Sequence, residues 1–247
     1  MMHALRNTLD TYRATRLTHT SRYVAEMADI PPTLYPFWKQ TAHHEFKGIP
    51  RDALFFARAA EGLVTFFDCV RHAKQRCALP SKAADSVWHA WAQLSQASLD
   101  AFCIKHFGQL IPHVEGADMT GQMEDALAVC LVQARRLELK SAASPTLPRL
   151  FALDRKVGMP GGFAYLMVSG VHAFRHMDEA GKPVGELFFP HSLAPVSLLQ
   201  AGHISQYQYD DYVARKRPDQ GSNCWAGVMS DFGSGAGDAG CGSGCGS

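Results

Sequence analysis

Apolar positions recur at helical spacing through most of residues 1–140. Between Asp52 and about Gln75, "DALFFARAAEGLVTFFDCVRHAKQ" places Leu54, Phe55, Ala59, Leu63, Phe66, Phe67 and Val70 on one stripe, which predicts a helix. Pro80 and Ser81 mark a second helix start, with Ser81 as N-cap, and the pattern runs to Gly108, a suitable C-terminal stop. A third run, from about Thr120 to Lys140, repeats the spacing through Met123, Ala126, Leu127, Cys130, Leu131, Ala134 and Leu137. Residues 1–46 are loosely helical, broken at Pro31 and Pro32 and followed by the aromatic cluster "LYPFWKQ".

Beyond the connector "SAASPTLPRL" the period changes. "GGFAYLMVSG", "VHAFRHM" and "GELFFP" are short β-branched or aromatic runs, and "DEAGKP" between two of them is a hairpin-type turn. "SLLQAGHISQYQYDDYVARK" predicts one or two short helices. From Gly221 onward Gly, Ser and Ala dominate, and glycine in that proportion costs too much backbone entropy to fold unaided. The expected class is mainly α. A helical domain (1–143) precedes a smaller α+β segment with a β-hairpin (144–217) and a disordered glycine-rich tail (218–247).

Composition narrows the function classes. The chain has 247 residues, 47% of them apolar, enough for one sizeable core or two modest ones. Lys and Arg number 24 against 23 Asp and Glu, so the formal charge of +1 argues against nucleic acid or an anionic membrane surface as partner. No run approaches the ~20 apolar residues that span a bilayer, and the N-terminal stretch lacks the apolar core of a secretory signal. A cytoplasmic location is the expectation. Of the seven cysteines, Cys69, Cys103 and Cys130 fall in helical apolar patterns and read as reduced core residues. Cys77 and Cys224 are scattered, while Cys241 and Cys245, in "CGSGC", suit a soft metal or a reducible disulfide.

The candidate chemistry centres on "ADSVWHAW". Asp85 and His89 are one helical turn apart, so the carboxylate can accept from the imidazole Nδ1 and leave Nε2 for a metal or a proton. Trp88, Ala92, Leu99, Phe102 and Cys103 share the apolar face of that helix, with Asp85, His89 and Gln96 along its border. His113 follows in a segment able to fold back, and His106, with Glu115 or His72, would complete a zinc or iron set. Spacing alone favours a buried polar pair holding two helices in register, with His113 capping a helix end. His172 and His176 read as exposed strand histidines, and "MPGGF" lacks the continuation of a phosphate loop. No "GxSxG" or activated cysteine suggests nucleophilic catalysis.

The stretch "PSKAADSVWHAWAQLSQASLDAFCIKHFGQLIPHVE" resembles the glycine-rich domain-containing protein family. That pattern has Pro-Ser, Asp-x-x-Trp-His, Tyr-x-x-Phe-Cys, Phe-Gly and a closing His. Here these fall at Pro80, Ser81, Asp85, Trp88, His89, Phe102, Cys103, Phe107, Gly108 and His113, with Leu99 in place of the tyrosine. The resemblance implies that Asp85, Trp88, His89 and His113 form one binding site, and it suits a Gly- and Cys-rich C-terminus. It names no reaction. Two readings stand: first, a binding or interaction module in which Asp85, His89 and His113 organise a polar site and the tail contacts a protein partner, and alternatively a zinc or non-haem iron enzyme in which His89 and His113 are ligands and Asp85 is a ligand or their orienter.

Overall fold

The computed structural model describes residues 2–113, 123–138 and 146–216. The described residues up to Tyr212 cluster as one compact unit. The class is the expected one, mainly α with a small antiparallel sheet after the helices. The three N-terminal helices are α1 (Met2–Thr20), α2 (Val24–Ala28) and α3 (Leu34–Glu45), so "LYPFWKQ" is itself helical. Next come α4 (Ala53–His72), α5 (Lys82–Phe107) and α6 (Met123–Leu137).

The helix boundaries follow local chemistry. Asp52 accepts a hydrogen bond from the Phe55 N–H at 2.8 Å and opens α4, a cap worth about 1 kcal/mol. Ser81 does the same for α5 through the Ala84 N–H, and Gly108 ends α5 in the left-handed conformation at φ 74°. One departure lies inside α5. Ser95 leaves helical geometry (φ −168°, ψ 102°) and its Oγ accepts from the Ser98 N–H at 3.2 Å, capping the second half of the helix.

The core lies between α4 and α5. Phe67 is fully buried and meets Trp88 edge-on at 5.1 Å and Phe107 at 5.7 Å, while Phe66 lies 5.5 Å from Trp88. Burying a ring of this size contributes about 1.5–3 kcal/mol. Across α5, α3 is pinned by Trp38, wholly buried, whose indole N–H donates to Ser86 Oγ at 3.0 Å.

The later part begins with α7 (Leu153–Val157), a five-residue helix that apolar periodicity does not reveal. Strands β1 (Phe163–Val168), β2 (Val171–Met177) and β3 (Pro183–Phe188) then form an antiparallel sheet in that order. Ser169 and Gly170, both at positive φ, make the tight β1–β2 turn. In the second turn the Asp178 side chain accepts from the Ala180 and Lys182 N–H groups. Two short helices follow, α8 (Pro195–Gln200) and α9 (Gln206–Lys216).

Asp154 fastens this part to the helices. Its carboxylate, 1% exposed, accepts from Ser81 Oγ at 2.6 Å and from the Lys82, Ala83 and Phe163 N–H groups at 3.0 Å each. Burial pushes its carboxyl up, while these four hydrogen bonds favour the charged form. Phe163 lies in "MPGGF", so that loop serves this junction.

Candidate metal centre

The packing of Trp88 against Phe66 and Phe67 fixes how α5 is rotated, and that rotation places Asp85 and His89 at the border of the core. Beyond Gly108 the chain turns back, anchored by the buried Ile111, and brings His113 against the same face. The His113 ring meets Trp88 edge-on at 4.6 Å. The four expected site residues, Asp85, Trp88, His89 and His113, all meet here.

The three polar groups converge on one point. Asp85 Oδ1 lies 3.0 Å from His113 Nε2 and 3.6 Å from His89 Nε2, and the two Nε2 atoms are 3.1 Å apart. Ligand atoms about 2.1 Å from a shared ion lie about 3.0 Å apart at right angles and about 3.4 Å apart at the tetrahedral angle. The observed triangle matches one face of such a coordination sphere, and among the described residues it is the one metal-capable cluster. The side chains of Asp85, His89 and His113 are 29%, 23% and 25% exposed, so the opposite face is accessible.

The orienting carboxylate differs from the expected one. His89 Nδ1 lies 2.7 Å from Glu45 Oε1 and 2.8 Å from Oε2, so Glu45 fixes the ring and Asp85 is left for the ligand point. Glu45 closes α3, and the Trp38–Ser86 bond holds that helix on α5. No spacing rule reaches it, since 44 residues separate Glu45 from His89.

Other candidates lie elsewhere. His106 pairs with Asp29 at 2.7 Å and His72 with Asp68 at 3.3 Å, so neither completes the ligand set. Glu115, Cys224, Cys241, Cys245 and the tail fall outside the described residues. His172 and His176 are on β2 as expected, but only His176 is exposed. His172 is buried, and the equally buried Arg135 of α6 donates to its Nε2 at 3.0 Å. Cys69, Cys103 and Cys130 are free and buried, as their pattern implied.

A cavity of about 890 Å³ opens beside the triad. Asp85, His89, His113, Glu45 and Trp88 line it together with the 73–79 segment and Phe163. A family model spans all three convergent side chains and this wall, matching residues 50–184. The chain belongs to the UCP032817-like family. Glu45 lies outside the stretch matched to the UCP032817-like model. No curated protein and no solved structure matches the chain. Among the described residues no helix is long and apolar enough to cross a membrane.

Proposed function

We propose that this UCP032817-like protein is a metal-dependent enzyme. His89, His113 and Asp85 hold a zinc or iron(II) ion at the wall of the cavity, and Glu45 fixes the His89 ring. The observation that carries this reading is the closed triangle of 3.0, 3.1 and 3.6 Å between three donor atoms, one of them delivered by a separate segment. A purely structural pair needs only Asp85 and His89, yet theirs is the longest of the three distances.

Three protein ligands leave a coordination position open, which is the catalytic rather than the structural pattern. A bound ion there supplies Lewis acidity and an activated water, or, as iron(II), a place for oxygen. The chain's own contribution is to present two imidazole nitrogens and one carboxylate oxygen, with Trp88 and Glu45 restraining both rings. The cavity on the open side has room for a small organic substrate. The resemblance of 80–115 to glycine-rich domain-containing proteins supports treating the polar set as one unit. The interaction-module reading shares the same polar set, and the tail that it assigns to a partner lies outside the described residues.

Elemental analysis of purified protein beside the His89→Ala and His113→Ala variants tests the assignment. Near-stoichiometric zinc or iron in the wild type, lost in both variants with circular dichroism unchanged, is expected. Wild-type protein that takes up neither metal on reconstitution sinks it.

A further inference from the structure

Lys82 precedes Asp85 by three residues and His89 by seven, which puts all three on one stripe of α5. Its ammonium is held 5.5 Å from the centre of the Phe163 ring, on the cavity wall. Lys74 and Arg76, on the segment between α4 and α5, line the same cavity. None of these three cations forms an ion pair with a described residue.

The two acidic side chains that line the cavity among the described residues are already engaged. Glu45 is committed to His89, and Asp85 faces His113 and the ligand point. Among the described residues, a divalent ion would offset both carboxylates and leave three cations without an acidic counterpart on the cavity wall. Phe66, Val70, Leu79, Ile111 and Trp88 make the remaining surface largely apolar.

We propose that the cavity binds an anionic organic substrate, a carboxylate or phosphate monoester with an apolar body, whose acid group is held by Lys82 together with Arg76 and Lys74. The proposal rests on the metal reading for the chemistry that follows binding, while the cations exist independently of the ion. Lys82 is the principal contact. It is half-buried and its ammonium is placed in advance by Phe163, so little freedom is lost on binding. Lys74 and Arg76 are exposed, and salt screens them more strongly.

Calorimetric titration of zinc-treated protein with octanoate, octyl phosphate and octanol tests this. Both anions, or either one, should bind at least about tenfold more tightly than octanol, the tighter of the two identifying carboxylate or phosphate as the preferred group. A Lys82→Ala, Arg76→Ala double variant should bind the anions about tenfold or more weakly, with octanol binding and zinc content unchanged, and Lys82→Arg should retain most of the affinity. Equal affinity for octanol and the anions, no binding of either anion, or an unaltered double variant would overturn the proposal. Wild-type protein that takes up no zinc refutes the metal reading alone. Anion binding by that protein, lost in the double variant, still supports the cationic pocket.

Discussion

His89 Nε2 and His113 Nε2 face each other at 3.1 Å. Because His89 Nδ1 donates to Glu45, its Nε2 carries a lone pair in the neutral ring. The hydrogen between the two nitrogens therefore belongs to His113, whose Nε2 also lies 3.0 Å from Asp85 Oδ1. A metal held at the same point would need both lone pairs, so the hydrogen on His113 Nε2 would have to pass to solvent or to the ring's own Nδ1.

Histidine tautomers report this displacement directly. In metal-free protein, His89 should be the Nδ1–H and His113 the Nε2–H tautomer, and zinc should convert His113 to metal-bound Nε2. Long-range proton–nitrogen spectra distinguish these forms. Spectra unchanged by zinc at both rings would rule out ligation through Nε2.

Glu45 should matter to affinity rather than to folding. Its side chain is 47% exposed, and its role at the site is to hold His89 Nδ1. Glu45→Ala should weaken zinc binding about 10–100-fold, measured by chelator competition, with little change in the urea midpoint. Unchanged affinity would remove Glu45 from the site.

The helices and the Asp85–His89 pair were legible because each depends on local signals, whereas His113 joined them only through the family resemblance, since its approach is made 24 residues away. Ser81, Gly108 and the apolar stripe define α5, and a spacing of four puts Asp85 beside His89. Glu45 was not legible, because its approach depends on how Trp38 docks α3 against Ser86. Ser95 was hidden because apolar periodicity continues past it, although its side chain caps a new helical segment. His172 was misplaced for a similar reason: a strand pattern reveals which face a residue occupies but not that the buried Arg135 lies against it.

Asp154 joins the α5 N-terminus to β1 through four hydrogen bonds. Replacing it with alanine strands Ser81 Oγ and three backbone donors at a buried junction. Asp154→Ala should cost about 3–5 kcal/mol in chemical denaturation. Loss of less than about 1 kcal/mol would show that water satisfies those donors equally well.

Acid stability should depend on His172. Burial first, and then the Arg135 charge, lowers its pKa from 6.5 to about 3. The folded state thus favours the neutral ring, whereas the unfolded chain takes up a proton below about 6.5. Its contribution is complete above that value and is lost as the pH falls toward about 3. The urea midpoint should decline across this window, and a His172→Gln variant that still folds should show a shallower decline. Parallel profiles would exclude His172 as a source of the acid sensitivity.

Cysteine reactivity offers a separate test of the cavity wall. Cys69, Cys103 and Cys130 are buried, and burial pushes the Cys103 thiol up to about 12 and Cys130 well above the usual range. Cys77 is half-buried and lines the cavity. A thiol must be both accessible and ionised to react. Brief alkylation of the folded protein near pH 8, followed by peptide mass spectrometry, should therefore modify Cys77 ahead of the other three. Equal labelling of Cys77 and Cys130 would mean that the segment between α4 and α5 opens to solvent faster than the reagent reacts, and the wall carrying Lys74 and Arg76 would then be a mobile one.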